Sequence, residues 1–219
     1  MTNRKYEFVE GDERIVAPGI VAKRIRALVA IPALLWAPAV QPGDLGGYIV
    51  QGANLAQVSG NAWVYGDALV YGDAQVYGDA RVYGNARVYG NAQVYGDAQV
   101  SGNAQVYGDA QVSGNAWVYG DAQVSGNAQV SGNAWVYGDA QVSEKCSRTP
   151  VLISGLRYTV TVTDEHLRAG CQCHPFAAWA AFSKDEVAAM DGKDALRFWP
   201  QLLALLAAAR PAEPAEVQE

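Results

Sequence analysis

From Val58 onward the chain repeats a six-residue pattern of apolar and polar positions, V-[YS]-G-[DN]-A-x, fourteen times, closing on a fifteenth valine at Val142. Written as A-x-V-[YS]-G-[DN], one hexad alternates like a strand, with Ala and Val on one face and the intervening residue, together with Tyr or Ser, on the other. Gly and Asp or Asn then supply a two-residue corner, because these residue types most readily take positive φ. Four residues of strand and a bend, repeated without an insertion, oblige the chain to coil. A segment this short cannot bury its Val/Ala face alone, so successive coils must stack at the ~4.8 Å spacing of paired strands.

The period of six does not itself say how many hexads close a coil. Trp63, Trp117 and Trp135 differ by 54 and 18 residues, multiples of 18 but not of 12, so three hexads per coil stack all three on one side. With that stacking one outward row reads Trp63, Arg81, Gln99, Trp117, Trp135, and another Gln75, Gln93, Gln111, Gln129. The neighbouring outward row interleaves Tyr and Ser: Tyr65, Tyr83, Ser101, Tyr119, Tyr137. Trp63 beside Arg81 offers a cation–π contact.

The flanks lack the period. Residues 1–57 read as one or two hairpins: the run KYEFV, a turn at 10–13, a strand-like run over 15–31, then Pro42-Gly43-Asp44 and Gly46-Gly47 ahead of the first repeat. Beyond the repeat, 157–163 alternates Tyr or Val with Thr, and Asp164-Glu165 turns into a second strand over 167–171. Ser183 and Glu186 have capping-box spacing ahead of an apolar stretch, and Gly192 stands where that helix would stop. Asp194 can cap a further helix, in which Pro200 predicts a break or kink before 201–210. Leu196, Trp199, Leu203 and Leu206 form its expected packing stripe. The expected organisation is therefore an N-terminal β cap over 1–57, the repeat over 58–143, a hairpin with helices over 144–210 and a frayed tail over 211–219.

Charge sharpens the picture. The 219 residues carry a net charge of −6, and the repeat block holds seven Asp against two Arg with no Lys, Glu or His. The acidity thus belongs to the corners, and a basic nucleic-acid binder is excluded because phosphate binding needs a Lys/Arg excess. Nor is the repeat block a good electrostatic copy of DNA, which carries a charge every ~1.7 Å of axis. Three cysteines, Cys146, Cys171 and Cys173, make no disulfide framework, and the start MTNRKYEFVEGDER has no apolar targeting core. A reducing, cytoplasmic setting is expected. The most apolar stretch, 27–40, carries Pro32 and Pro38 and is too short to span a bilayer, which takes ~20 apolar residues.

The uninterrupted hexads resemble the hexapeptide-repeat, left-handed parallel β-helix proteins, in which an aliphatic and a small residue per hexad fill a triangular prism of 18 residues per turn. The resemblance implies a mainly β, left-handed β-helix of about five coils, roughly 22 Å long, between an N-terminal β cap and a C-terminal α+β element. More narrowly, the opening K-Y-E-F, the segment Arg24-Ile25-Arg26-Ala27-Leu28, the run from Pro42 through Tyr48 to Ile49, and Gly170-Cys171-Gln172-Cys173 look like hexapeptide-repeat proteins carried by bacteriophages and prophages. That family implies a fold and a source more than a chemistry.

Acyltransferases of this fold need a histidine base beside the coils and usually a loop extruded from a corner. Here only His166 and His174 exist, both beyond the repeat, and no corner between 58 and 142 carries an insertion. A three-histidine zinc site is excluded by count. Cys171, Cys173 and His174, with His166 and Cys146, can be read as metal ligands, but C-x-C-H is not a finger spacing, and thiols packed in a hairpin core account for them better. The remaining candidates are the outward aromatics Trp63, Arg81, Trp117, Trp135, Tyr65, Tyr83, Tyr119 and Tyr137, more apolar surface than strand stacking requires. They point to a non-enzymatic binding or scaffold protein without a cofactor. The expected partners are itself, as a dimer or trimer, and a bacterial host component that it engages or inhibits. An acyltransferase with a site between a terminal domain and a coil, and a glycan-binding module using the tryptophan row, are the alternatives.

Overall fold

The computed structural model describes residues 4–34 and 37–209. They fall into two compact units, Met1–Pro150 and Val151–Glu219. The expected tail over 211–219 lies outside the described residues.

The first unit is a parallel β-solenoid. Each hexad contributes a two-residue strand made of x and Val, and each strand pairs in parallel with the one 18 residues on: Trp63 with Arg81, Leu69 with Arg87, Gln75 with Gln93. Three sheets result, one per face, and the face that begins at Trp63 has five strands, so the solenoid makes about five turns. The Val and Ala of every hexad from Ala62 to Val142 are at most 1% exposed. Burial of that stripe, at ~0.8 kcal/mol per methylene, is what winds the chain. Coil-to-coil hydrogen bonds such as Trp117 N–H to Ala134 C=O (2.9 Å) and Tyr119 N–H to Val136 C=O (2.9 Å) consume the backbone groups. At the corners the glycines take positive φ, and the next residue donates to the glycine carbonyl one coil on, as Asn103 N–H does to Gly120 (2.8 Å).

The N-terminal residues extend one of the three sheets. Strands β1 (Tyr6–Ala17), β2 (Ile20–Ala27) and β3 (Leu45–Ile49) are antiparallel to one another, and β3 joins the solenoid in parallel through Tyr48 and Leu69. The turn expected at 10–13 is not the hairpin turn. Strand β1 runs through it with a register shift between Phe8 and Glu13 around Gly11 (φ 79°), and the chain reverses at Pro18-Gly19. Proline followed by a glycine at φ 76° meets the requirement of a type II turn, whereas Gly11 is absorbed as a bulge. Between β2 and β3 a short arm projects, paired Ile31 to Val40 and Leu34 to Ala37. At the other end, Cys146 takes the place of a next-coil residue beside Val130, and its N–H donates to the Gln129 carbonyl (2.8 Å).

The second unit is a four-stranded antiparallel sheet in chain order, Val151–Ile153, Val160–Val162, His166–Ala169 and Gln172–Pro175. The expected hairpin is its centre, with Val162 opposite Leu167. Helix α1 (Phe176–Ala181), not foreseen, and the helical stretch α2 (Lys184–Ala209) come next. The capping box forms: Ser183 N–H and Oγ–H donate to the Glu186 carboxylate (2.8 Å each), and Glu186 N–H returns to Ser183 Oγ (3.3 Å). The interruption falls at Asp191 and Gly192 (φ 58°). This is the stop expected at Gly192, whereas Pro200 lies inside the helix beyond it and the break expected there does not form. The packing stripe forms in part: Leu206 is buried, and Trp199 and Leu203 pack against the core. Phe198, Leu202 and Leu206 are buried with Trp179, Val160 and Leu167, while Leu196 is 36% exposed.

The tryptophan face of the solenoid

The outward position of each hexad lies between two core residues of one strand, so its side chain is held by a backbone that is hydrogen-bonded on both sides. On one face these positions are Trp63, Arg81, Gln99, Trp117 and Trp135, paired in that register. The row is divided. At its N-terminal end Trp63 and Arg81 are fully buried. Tyr6 packs edge-on against Trp63 at 6.3 Å, and the arm lies over the row, with Arg81 Nη2 donating to the Pro32 carbonyl (3.1 Å) and Tyr65 Oη–H to that of Pro38 (2.9 Å). Lys5 is buried beside them and donates to the carbonyls of Ser59 and Ala62 (3.4 Å each). Burial, then the Arg81 cation, push the Lys5 ammonium down to about 8. Burial likewise lowers the Arg81 guanidinium, against the opposing pull of Tyr65 and Asp79. The cation–π contacts of this unit lie elsewhere: Arg14 and Arg24 sit 4.1 and 4.4 Å from the Tyr48 ring centre.

Beyond Arg81 the same row is less buried, with Gln99 and Trp117 partly buried and Trp135 exposed. Gln99, Trp117 and Trp135, the corner residues Asp97, Asn115 and Asn133, and Leu34 of the arm line a groove of about 430 Å³. Trp117 and Trp135 meet edge to face at 5.5 Å, Trp117 tilts against Tyr119 at 5.1 Å, and Tyr119 stacks on Tyr137 at 5.7 Å. Trp135 is 46% and Tyr137 37% exposed. Asn115 Nδ2 donates to Asn133 Oδ1 (3.0 Å), continuing the wall from coil to coil. Tyr83 Oη–H donates to Gln99 Oε1 (3.1 Å), which leaves the Gln99 amide directed by its oxygen. On the other faces the tyrosines are taken up internally: Tyr71, Tyr89 and Tyr107 stack at 5.0 Å, as do Tyr77 and Tyr95. Periodicity identified the row and its aromatics. It did not identify Leu34 as a wall, for which the only signal was the proline-flanked apolar stretch 27–40.

The sulfur and imidazole candidates are spread out. Cys146 is buried in the first unit, while Cys171 is exposed in a turn of the second and Cys173 is partly buried on the strand Gln172–Pro175. His174 packs edge-on between Trp179 (5.0 Å) and Phe182 (4.9 Å), and its Nε2 is 3.2 Å from Gln172 Oε1. Burial, then His166, hold its imidazole below the usual range. Among the described residues no three His, Cys, Asp or Glu side chains gather at one point. An apolar cavity of about 270 Å³ in the second unit is lined by Trp179, Met190, Phe198 and Trp199, with Cys171 at its margin. Among the described residues, no helix is long and apolar enough to cross a membrane.

The YdcK beta-solenoid repeat family matches the chain in eight segments, 56–72, 62–78, 74–90, 80–96, 104–120, 110–126, 122–138 and 128–144. No curated protein matches the chain at a significant level. Hexad by hexad, the segments matched are those that the pairing register stacks into three sheets, and the chain is a β-solenoid repeat protein.

Proposed function

We propose that the protein is a non-catalytic binding scaffold that presents the Trp117 and Trp135 groove to a partner. The observation that carries this reading is the last part of the row, where Trp135 is 46% exposed on a hydrogen-bonded frame and the corner amides Asn115 and Asn133 line the groove beside it. A site of this kind needs no moving part, since the coils fix each side chain through its two core neighbours. The acyltransferase alternative finds less support. Every strand pairing from Trp63 to Gln141 keeps the 18-residue register, so no corner is extruded to hold an acyl donor, and His174 is engaged with two aromatic rings and Gln172. The placement of the partner in a bacterial host rests on the likeness of the flanks to phage-carried proteins.

Release of thiol from acetyl coenzyme A in the presence of amine and hydroxyl acceptors tests the first half of the proposal. No turnover is expected; turnover that disappears in His166→Ala or His174→Ala would replace the scaffold with an enzyme. Self-association is a second reading, favoured by the last coil, where the strands Trp135–Val136 and Gln141–Val142 are the outermost members of their sheets. Sedimentation equilibrium at tens of micromolar reads it directly, and a monomer at all concentrations removes it.

A further inference from the structure

We infer that the cavity of the second unit takes a small organic cation, an alkylated or quaternary ammonium ion. The inference concerns a different unit from the tryptophan face and does not depend on it. The cavity forms where the last helical stretch breaks. Asp191 and Gly192 leave helical geometry, and the lining draws on both sides of that break, with Met190 before it and Phe198 and Trp199 after it. Tyr158, ahead of the second strand of this unit's sheet, and Trp179 of α1 add two more aromatic side chains. All four are anchored by contacts of their own. Tyr158 meets Phe198 edge to face at 5.2 Å, Trp179 tilts against Trp199 at 5.9 Å, and the Trp179 indole N–H donates to the Leu167 carbonyl (2.6 Å).

The charge beside these rings is the Asp191 carboxylate. Tyr158 Oη–H donates to its Oδ2 (2.5 Å), which fixes the carboxylate against the aromatic wall. Among the described lining residues there is no Lys, Arg or His, and Arg157, the neighbour of Tyr158, is bonded to Asp194 (2.5 Å). An anionic ligand would therefore meet a like charge and no counter-charge. A strongly polar one would leave hydroxyls without partners against a mostly apolar wall. A neutral apolar molecule would fill the space but leave Asp191 unanswered. An ammonium ion with alkyl groups matches every part of the lining: aromatic rings attract it through their negative faces, the carboxylate offsets its charge, and its alkyl groups occupy apolar space. The cavity volume of about 270 Å³ lies just below the ~300 to 1,000 Å³ of ordinary ligand pockets, so the ion is a small one.

Choline and phenyltrimethylammonium are the probes, titrated into the full-length protein and followed by calorimetry and ligand-observed NMR. The comparison compounds are 3,3-dimethylbutan-1-ol, the neutral carbon analogue of choline, and 3,3-dimethylbutanoate, an acidic one. At least one cation should bind about tenfold more tightly than either comparison compound. Asp191→Asn keeps the shape of the side chain and removes its charge, so it should weaken the cation about tenfold and leave the alcohol unchanged. Trp199→Leu keeps an apolar residue and removes a ring, and should weaken the cation about fivefold. Melting curves close to that of the parent protein establish that the variants are folded. Asp191 is exposed, so Asp191→Asn decides the matter even if Trp199→Leu does not fold. Binding of neither cation overturns the inference. So does an alcohol that binds as tightly as the cation, or a cation affinity that Asp191→Asn leaves unchanged. Cation binding that is lost in Trp135→Ala but kept in Asp191→Asn places the ion on the solenoid and overturns the cavity assignment, while leaving the scaffold reading in place.

Discussion

Two glycines at equivalent corners of the solenoid should respond very differently to the same methyl group. Gly66 (φ 58°) has only the Gly84 carbonyl oxygen near the site of an added Cβ, at 3.7 Å, an ordinary contact. Gly102 (φ 68°) would place that Cβ 2.9 Å from both the nitrogen and the oxygen of Gly120, and 3.3 Å from its Cα. Both substitutions carry the cost of a non-glycine residue in the left-handed region, ~1 to 2 kcal/mol, partly offset by ~0.4 to 1 kcal/mol from the stiffer unfolded chain. Gly66→Ala should therefore cost about 1 kcal/mol or less. At Gly102 the neighbour cannot swing aside, because Asn103 N–H holds the Gly120 carbonyl at 2.8 Å and anchors it to the coil. Overpacking of this kind adds ~1 to 3 kcal/mol, for a total of about 2 to 4 kcal/mol.

At ~2 to 4 °C per kcal/mol for a unit of this size, Gly66→Ala should lower the melting temperature by a few degrees at most and Gly102→Ala by about 5 to 15 °C. Circular dichroism melts and urea unfolding of the two variants read the difference. Asparagine separates the two causes, because it tolerates positive φ but still carries a Cβ. Gly66→Asn should restore most of the loss at that corner, and Gly102→Asn should restore little. Equal losses at the two corners, or a rescue at both, would refute the contribution of coil-to-coil contact and leave backbone conformation as the whole effect.

Other consequences concern the covered end and the second unit. Lys5, pushed down to about 8 from an ordinary 10.5, binds its proton less readily in the folded chain, so the unfolded state holds more protons between those values. Stability should therefore rise between pH 8 and pH 10, and Lys5→Met should flatten that rise; an unchanged slope would remove Lys5 as its source. Tyr6, raised to about 12 by burial, opposes the trend only above its ordinary value of 10.0. Tyr48→Phe removes a hydroxyl that accepts from Arg24 Nη2 (2.6 Å) and donates to Asp12 (2.8 Å), and should cost about 1 to 2 kcal/mol in urea unfolding. Trp179→Phe removes the indole N–H that donates to the Leu167 carbonyl at 2.6 Å, together with buried ring area. It should cost about 2 to 4 kcal/mol, read as lost hydrogen-exchange protection over 160–169 with no change in the solenoid.

The solenoid is legible in the sequence because both members of each of its contacts carry the same motif. Trp63 pairs with Arg81 and Trp117 with Trp135 because each stands at the same point of a hexad, and the 18-residue spacing of the tryptophans is enough to say so. Elsewhere, local chemistry offers competing solutions that only pairing can rank. Gly11 and Pro18-Gly19 are both turn signals, and the hairpin register from Ala17 opposite Ile20 selects the second. Pro200 and Gly192 are both helix breakers. A glycine at φ 58° ends the helical geometry outright, whereas Pro200 is accommodated in the helix beyond it, where Phe198 and Leu202 join Leu206 in the core. The strands Val151–Ile153 and Gln172–Pro175 escape sequence reasoning because each acquires its strand character from the neighbour it pairs with.

The candidate site depends on both kinds of information. The repeat places an outward aromatic at Trp63 and at Trp135 by the same rule, yet one is fully buried and the other is the most open tryptophan of the row. The difference lies in the arm between β2 and β3, whose pairings of Ile31 with Val40 and Leu34 with Ala37 carry it over Arg81 and bring Leu34 to the rim of the groove. Its reach is set by the number of residues between β2 and β3, which no hexad specifies. A shorter arm would free Arg81 from the Pro32 carbonyl and add a cation to this face. The length of a non-repetitive insertion, acting on an invariant periodic surface, thus decides how much of the tryptophan face is buried and which charge that face carries.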